Sequence, residues 1–237
     1  MLLALWLLIH TVIYTIIFGM SGAIASLFES NKGRIFGHCA RIWGKLIVFF
    51  SFIPVKIDGL SNLDQKNNYI FCVNHGSMFD IPILFHSLPF WLVPIAKIEV
   101  KKIPLLGFVM NAGGHIFVDR SNHERAINSM RLAKDELLKG EKSLMLFPEG
   151  SRSKGGNIKP FKRGGLIIAI ESGIPVVPIA IINSHKLHKK GTLAVTRANI
   201  HVKIGEPIPV LKLKPTIKRE FPEYIRKKVI ELYDTKV

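Results

Sequence analysis

The chain has 237 residues, enough for one globular domain with a sizeable core and an appendage. Apolar residues make up 48% of it and the mean hydropathy is +0.28, high for a wholly soluble protein, while a formal charge of +16 calls for a polyanionic partner, nucleic acid or an anionic membrane. Its two cysteines, Cys39 and Cys72, form no CxxC pair and no zinc set, which excludes a disulfide framework and a zinc ribbon.

Residues 1–28 hold no Asp, Glu, Lys or Arg, and the first charge is Glu29. As a helix this stretch would measure about 42 Å, against roughly 30 Å for a bilayer's hydrocarbon core. It is expected to enter a membrane, either spanning with tilt or breaking at Gly19-Met20-Ser21-Gly22 to form a re-entrant hairpin. A cleaved signal peptide competes, since Ala23-Ile24-Ala25 has a small-x-small pattern; the missing basic n-region and the long apolar run weigh against it. Lys32, Arg34, Arg41 and Lys45 come after the apolar stretch, which predicts that the body lies on the cytoplasmic face of the cell inner (cytoplasmic) membrane. Arg34, His38, Arg41 and Lys45 share one helical face. With Ile35, Ile42, Trp43, Leu46, Ile47 and Phe49 they make a basic amphipathic pattern suited to an interface, although an ordinary helix packed on the body fits it too. Residues 1–52 are therefore read as a membrane anchor and 53–237 as the catalytic domain.

In that domain residues 55–57, 69–73, 91–96, 115–118, 143–147 and 176–182 read as strands, being short, β-branched or aromatic, and bounded by turn residues. Ser121-Asn122-His123-Glu124 has the pattern of a capping box, after which Ala126, Met130, Ala133 and Leu137 recur at helical spacing up to Gly140. Further helices are expected over 162–173 and 222–234. A strand over 199–204, beside 192–196, predicts some antiparallel pairing. The alternation implies an α/β fold with a mixed, largely parallel sheet flanked by helices.

Three clusters of polar residues sit just beyond strands. In Asn74-His75-Gly76-Ser77-Met78-Phe79-Asp80, a continuous helix would set His75 and Asp80 about 140° apart, so a turn must bring them together. Gly76 permits one, Ser77 can cap the next helix, and Pro82 is tolerated in a first turn. Asp80 bonded to one imidazole nitrogen would leave the other unprotonated, as a general base requires. In Phe147-Pro148-Glu149-Gly150-Ser151-Arg152-Ser153, amides around Gly150, the Ser151 hydroxyl and the Arg152 guanidinium can receive an anion, yet no Walker P-loop spacing is present. In Gly114-His115-Ile116-Phe117-Val118-Asp119-Arg120, Arg120 ends a third strand, and Lys97 lies just past another.

These residues resemble the glycerolipid acyltransferases related to 1-acylglycerol-3-phosphate acyltransferase, in particular the bacterial small-chain type. Asn74, His75, Ser77 and Asp80 match the N-H-x-S-x-x-D motif; Gly114, Phe117 and Arg120 match a second; Phe147 to Ser153 match F-P-E-G-[ST]-R-S; Val177-Pro178-Ile179 match a fourth. The resemblance implies the glycerolipid acyltransferase fold and direct transfer of an acyl group from acyl-CoA or acyl-carrier protein to the sn-2 hydroxyl of 1-acylglycerol 3-phosphate, giving phosphatidic acid. His75 would be the base and Asp80 its orienting group, with Ser77 a positioning group. Arg120, Glu149, Gly150 and Arg152 would bind the acceptor phosphate or order the site, with Glu149 holding Arg152 or Arg120, and Lys97 would add charge. Another lysolipid acceptor remains an alternative.

The resemblance implies no cofactor beyond the acyl-donor co-substrate, and the sequence shows no metal-ligand spacing. Lys186, Lys189, Lys190, Arg197 and Lys203, with no acid between Glu171 and Glu206, favour anionic lipid, coenzyme A phosphates or an acidic carrier protein as partners. A nucleic-acid partner is not expected, since zinc-finger, RNP-like and helix-turn-helix patterns are missing. A lipid-binding module without activity is the other non-enzyme reading, opposed by the intact His75 and Asp80.

Overall fold

A computed structural model describes residues 2–29, 33–119, 122–153, 155–187 and 196–235. Two helices, α1 (Leu2–Ala25) and α2 (Arg34–Phe50), precede β1 (Val55–Asp58), β2 (Ile70–Val73) and α3 (Asp80–Ser87). Then come β3 (Leu92–Lys97), α4 (Leu106–Ala112), β4 (Ile116–Val118), α5 (His123–Leu138), β5 (Ser143–Leu146), α6 (Arg163–Ser172) and β6 (Val176–Ile182). The chain closes with α7 (Ser184–Leu187), β7 (Ile200–Ile204), α8 (Pro215–Arg219) and α9 (Phe221–Asp234).

The seven strands form one sheet in the order β1-β7-β6-β2-β5-β3-β4. Every neighbouring pair is parallel except β6 with β7. The central strands are buried on both faces, which is why they read as unbroken apolar runs. Phe71 and Val73 face one core with Val48, Ile83, Leu84 and Phe85 of the α2/α3 layer. Ile70 and Cys72 face the other, with Ala133, Leu166, Phe221 and Ile225 of α5, α6 and α9. Pro178 is tolerated inside β6 because the ladder breaks beside it. Its carbonyl accepts from Gly205 N, and pairing resumes only at the Val176–Ile208 bridge.

Several expectations are corrected. The antiparallel partner of β7 is β6, not the segment before it; Thr196 is not in a strand, and residues 192–195 lie outside the described residues. The α5 N-cap is Asn122, whose side chain accepts from Arg125 N at 2.9 Å; Ser121, expected to cap, lies outside the described residues. α1 runs unbroken through Gly19 and Gly22, so the glycines serve packing rather than a break. A Cβ on Gly19 would meet Val109 at 2.8 Å and one on Gly22 would meet Phe36 at 2.8 Å.

α1 is long and apolar enough over Leu5–Ala25 to cross a membrane by length and composition. It lies antiparallel along α2: Trp6 Nε1 donates to Phe50 O at 2.9 Å, Trp43 Nε1 donates to Thr15 Oγ1 at 3.0 Å, and His10 Nε2 lies 3.3 Å from Ser51 Oγ. Its His10 and Thr15 thus turn toward α2, while Leu5, Leu8, Ile9, Val12, Ile13, Ile16, Ile17 and Ile24 are exposed. α2 docks on the body through Gly37 against Trp91 and Gly44 against Phe85, and it exposes Ile35, Ile42 and Phe49.

Candidate active site

Because β2, β3, β4, β5 and β6 are mutually parallel, their carboxyl ends share one edge of the sheet. The chain from β2 to β3 steps over β5, creating a crevice of the kind where ligands of α/β sheets bind.

Asn74, the first residue beyond β2, is buried and extends the β2–β6 pairing with its side chain. Ile181 N donates to its Oδ1 at 2.7 Å, and its Nδ2 donates to Ile181 O at 3.1 Å. Only a primary amide provides both halves of that exchange. His75 is then fixed at its backbone, donating its N–H to Glu149 Oε1 at 2.7 Å and accepting from Ser153 N at 2.7 Å. Its ring stacks on Phe147, with centroids 4.2 Å apart. Nδ1 lies 2.8 Å from Asp80 Oδ2.

Asp80 opens α3, where the helix dipole favours a carboxylate. It is fully buried, and its Oδ2 also accepts from Gly76 N at 2.8 Å and Ser77 N at 2.9 Å. The carboxylate is acceptor-only, so the His75 proton belongs on Nδ1 and the Nε2 lone pair is left for another partner. His75 Nε2 makes no hydrogen bond among the described residues, and the side chain is 17% exposed, enough to meet a ligand. The turn joining the pair does not use Gly76 in the way expected. Gly76 is absent from the positive-φ residues and instead permits close approach: a Cβ there would meet Ser184 Oγ at 2.9 Å and His185 N at 3.1 Å. Ser77 is buried, and its Oγ accepts from Phe79 N at 3.2 Å.

Glu149 does not hold an arginine among the described residues. Its two oxygens accept from the backbone N–H groups of His75 and Lys159, the latter at 3.1 Å, tying the loops after β2 and β5 together. Burial pushes its carboxyl above the usual carboxylate range, opposed by those two donors. Gly150, at φ 71, gives its N–H to Phe147 O at 3.0 Å, so this amide serves a tight turn rather than an anion. The exposed Ser151 accepts through Oγ from Lys159 Nζ at 3.1 Å, and the same ammonium reaches Arg152 O at 2.6 Å. Arg152 Nη1 is buried without a partner. Pro148 accepts from Lys162 N at 2.9 Å.

Other expected residues lie farther along the edge. Lys97 ends β3, two strands from β2, and pairs with Glu99 at 3.5 Å; the structure does not join it to the His75 cluster. Gly114, at φ 67, lies in the turn after α4, and Phe117 in β4 carries Lys101 Nζ 5.8 Å above its ring. Arg120 lies outside the described residues. Lys159 was not anticipated, because nothing in its local pattern points back across ten positions to Glu149. His185 was also missed; burial holds its imidazole below the ordinary value while the charge of Asp80 raises it.

A buried acid orienting an imidazole beside a crevice is an arrangement suited to proton transfer. The acyltransferase family model matches residues 54–182. The 1-acyl-sn-glycerol-3-phosphate acyltransferase of Limnanthes douglasii is 36% identical over 82% of this chain and 69% of its own length. That of Saccharomyces cerevisiae is 32% identical over 90% of this chain and 72% of its own. Against other plant relatives the chain spans 61% and 56% of their length. The crystal structure of the 1-acyl-sn-glycerophosphate (LPA) acyltransferase PlsC from Thermotoga maritima superposes with a TM-score of 0.82 at 26% identity, covering 100% of this chain and 97% of that one. The chain belongs to the acyltransferase family, in its 1-acyl-sn-glycerol-3-phosphate acyltransferase branch.

Proposed function

We propose that the protein acylates the sn-2 hydroxyl of 1-acylglycerol 3-phosphate, taking the acyl group from acyl-CoA or acyl-carrier protein and releasing phosphatidic acid. The observation that carries this reading is the His75–Asp80 pair at 2.8 Å with Nε2 unengaged. Nε2 removes the hydroxyl proton, the oxygen attacks the thioester carbonyl, and collapse breaks the C–S bond. The proton held on Nε2 then neutralises the departing thiolate. Base catalysis of this kind is worth about 10²–10⁴ in rate. Ser77, engaged with the Phe79 amide, positions the turn rather than forming an acyl-enzyme. The partnerless Nη1 of Arg152 supports a role in binding the acceptor phosphate, and by resemblance Arg120 joins it. Glu149 fixes the backbone of His75.

The outward apolar face of α1 supports membrane attachment, and its lengthwise packing on α2 and α4 favours burial beside the body in one leaflet over a crossing. Arg34, Arg41 and Lys45, coming after α1, favour the cytoplasmic face of the inner membrane. Transfer from labelled acyl-CoA and acyl-carrier protein to a panel of lysolipids tests the assignment. A marked preference for lysophosphatidic acid is expected, reduced by Arg152→Gln through a higher acceptor KM. Equal rates with phosphate-free acceptors would overturn it.

A further inference from the structure

The opposite edge of the sheet holds a cleft unconnected with this chemistry. It is an open recess of about 290 Å³, lined by Arg34, His38 and Arg41 of α2 with Gln65, Lys66 and Asn67 before β2; Trp91 and Glu141, which precede β3 and β5, complete it. Residues 67 and 75 flank β2, so cleft and His75 are separated by a strand's length, on the order of 20 Å at ~3.3 Å per residue. Trp91 is fixed as a wall, because Gly37 lets α2 close on it and the Lys142 ammonium sits 5.0 Å above its ring.

The cleft is cationic. Among the described residues Arg34, Arg41 and Lys66 enter no ion pair, whereas Lys142 is committed to Glu136 at 2.6 Å. Glu141 is the one acid among the lining residues. Two guanidinium groups from α2 and the Lys66 ammonium from a separate segment line one small volume, cationic donors of the kind that receive a phosphate group, while the Asn67 amide is already given to Asp64 at 3.2 Å. The side of α2 that faces the cleft carries Arg34, His38 and Arg41. The adjoining side carries the exposed Ile35 and Ile42. A phosphate in the cleft would therefore have apolar protein surface beside it on which acyl chains can lie, whereas a free anion would gain nothing from that surface.

We infer that this cleft is a second lipid site, which holds the phosphate of an anionic membrane phospholipid between α2 and the amino-terminal edge of the sheet. Occupancy couples the orientation of the body to the charge of the membrane, independently of the acceptor bound at His75.

The test uses the full chain in detergent, titrated with dioctanoyl phosphatidylglycerol, dioctanoyl phosphatidylcholine and inorganic phosphate. Trp91 fluorescence is followed in a Trp6→Phe/Trp43→Phe background. Saturable binding of the phosphatidylglycerol is expected, at least tenfold tighter than either other probe. Arg41→Gln/Lys66→Gln weakens it at least tenfold, and Arg152→Gln and the charge-matched Lys45→Gln change it less than twofold. Lys66→Gln alone, on an exposed turn, gives a smaller loss and keeps the test intact should the double variant not fold. Equal binding of phosphatidylcholine overturns the charge assignment. Equal binding of inorganic phosphate overturns the lipid assignment, and loss on Arg152→Gln would return the ligand to the active site.

Discussion

The two edges of the sheet use charge in opposite ways. Around His75 at the carboxyl edge the two acids are buried and held by fixed N–H donors: Asp80 Oδ2 takes three, one from the His75 ring and two from backbone, and Glu149 takes two from loops that it joins. At the amino edge Arg34 and Lys66 are exposed and Arg41 is half-buried, with no ion pair among the described residues. A buried group held by fixed donors sets geometry and resists change, whereas exposed cations supply attraction that salt screens. Substitutions at the first edge should change rate, and stability where a buried donor is stranded; among the exposed cations of the second they should change binding alone.

The largest expected effect is at the first edge. His75→Ala should lower acyl transfer by about 10²–10⁴, measured as thiol release, with little change in melting temperature because Asp80 keeps its two amide donors. Near-normal turnover would remove the distinction between the edges at its base. Next is a half-buried exception at the amino edge, His115 before β4, whose Nδ1 is shielded from solvent and whose imidazole desolvation pushes down to about 4. Above the ordinary value of 6.5 it is neutral folded or unfolded. Below it the unfolded chain takes up a proton that the folded chain refuses, so stability should fall as pH drops from 6.5 toward 4, by up to about 3 kcal/mol. Denaturation across that range should show the slope, and His115→Phe should flatten it.

Glu149→Gln should be milder. His75 N and Lys159 N meet different carboxylate oxygens, so the NH2 that replaces one of them would face a donor, and a stranded buried donor costs about 1–3 kcal/mol. Chemical denaturation should report that loss together with a reduced kcat, while unaltered stability would mean that the two loops are not joined through this carboxylate. The smallest effect is expected from Lys45→Gln. Binding to anionic vesicles should weaken by less than about threefold, and added salt should erase the difference.

The helices show how the same apolar content can serve opposite surroundings. α9 buries Phe221, Ile225 and Val229 at helical spacing, and its charged positions made that arrangement readable. α1 carries no charge and few polar groups, so its sequence predicted a lipid environment but not which side packs on the protein. The pairing of His10 with Ser51 and Thr15 with Trp43 decides that, through partners 41 and 28 residues away. Likewise the turn joining His75 to Asp80 was legible, because period and spacing are local. The partners of Glu149 were not, since His75 comes from the loop after β2, Lys159 lies ten residues farther along its own loop, and the neighbouring Arg152 is not bonded to it.

The amino-acid sequence by itself determined the α/β alternation, the apolar entry segment, the imidazole–carboxylate pair and the family, because each is written in short-range pattern and residue type. Tertiary structure alone decided that Glu149 clamps two loops, that the glycines of α1 are contact points, and that a cationic cleft forms between α2 and the far edge of the sheet. Those features require backbone donors and side chains from distant segments to meet at hydrogen-bond or van der Waals distance, and no spacing along the chain encodes such a meeting.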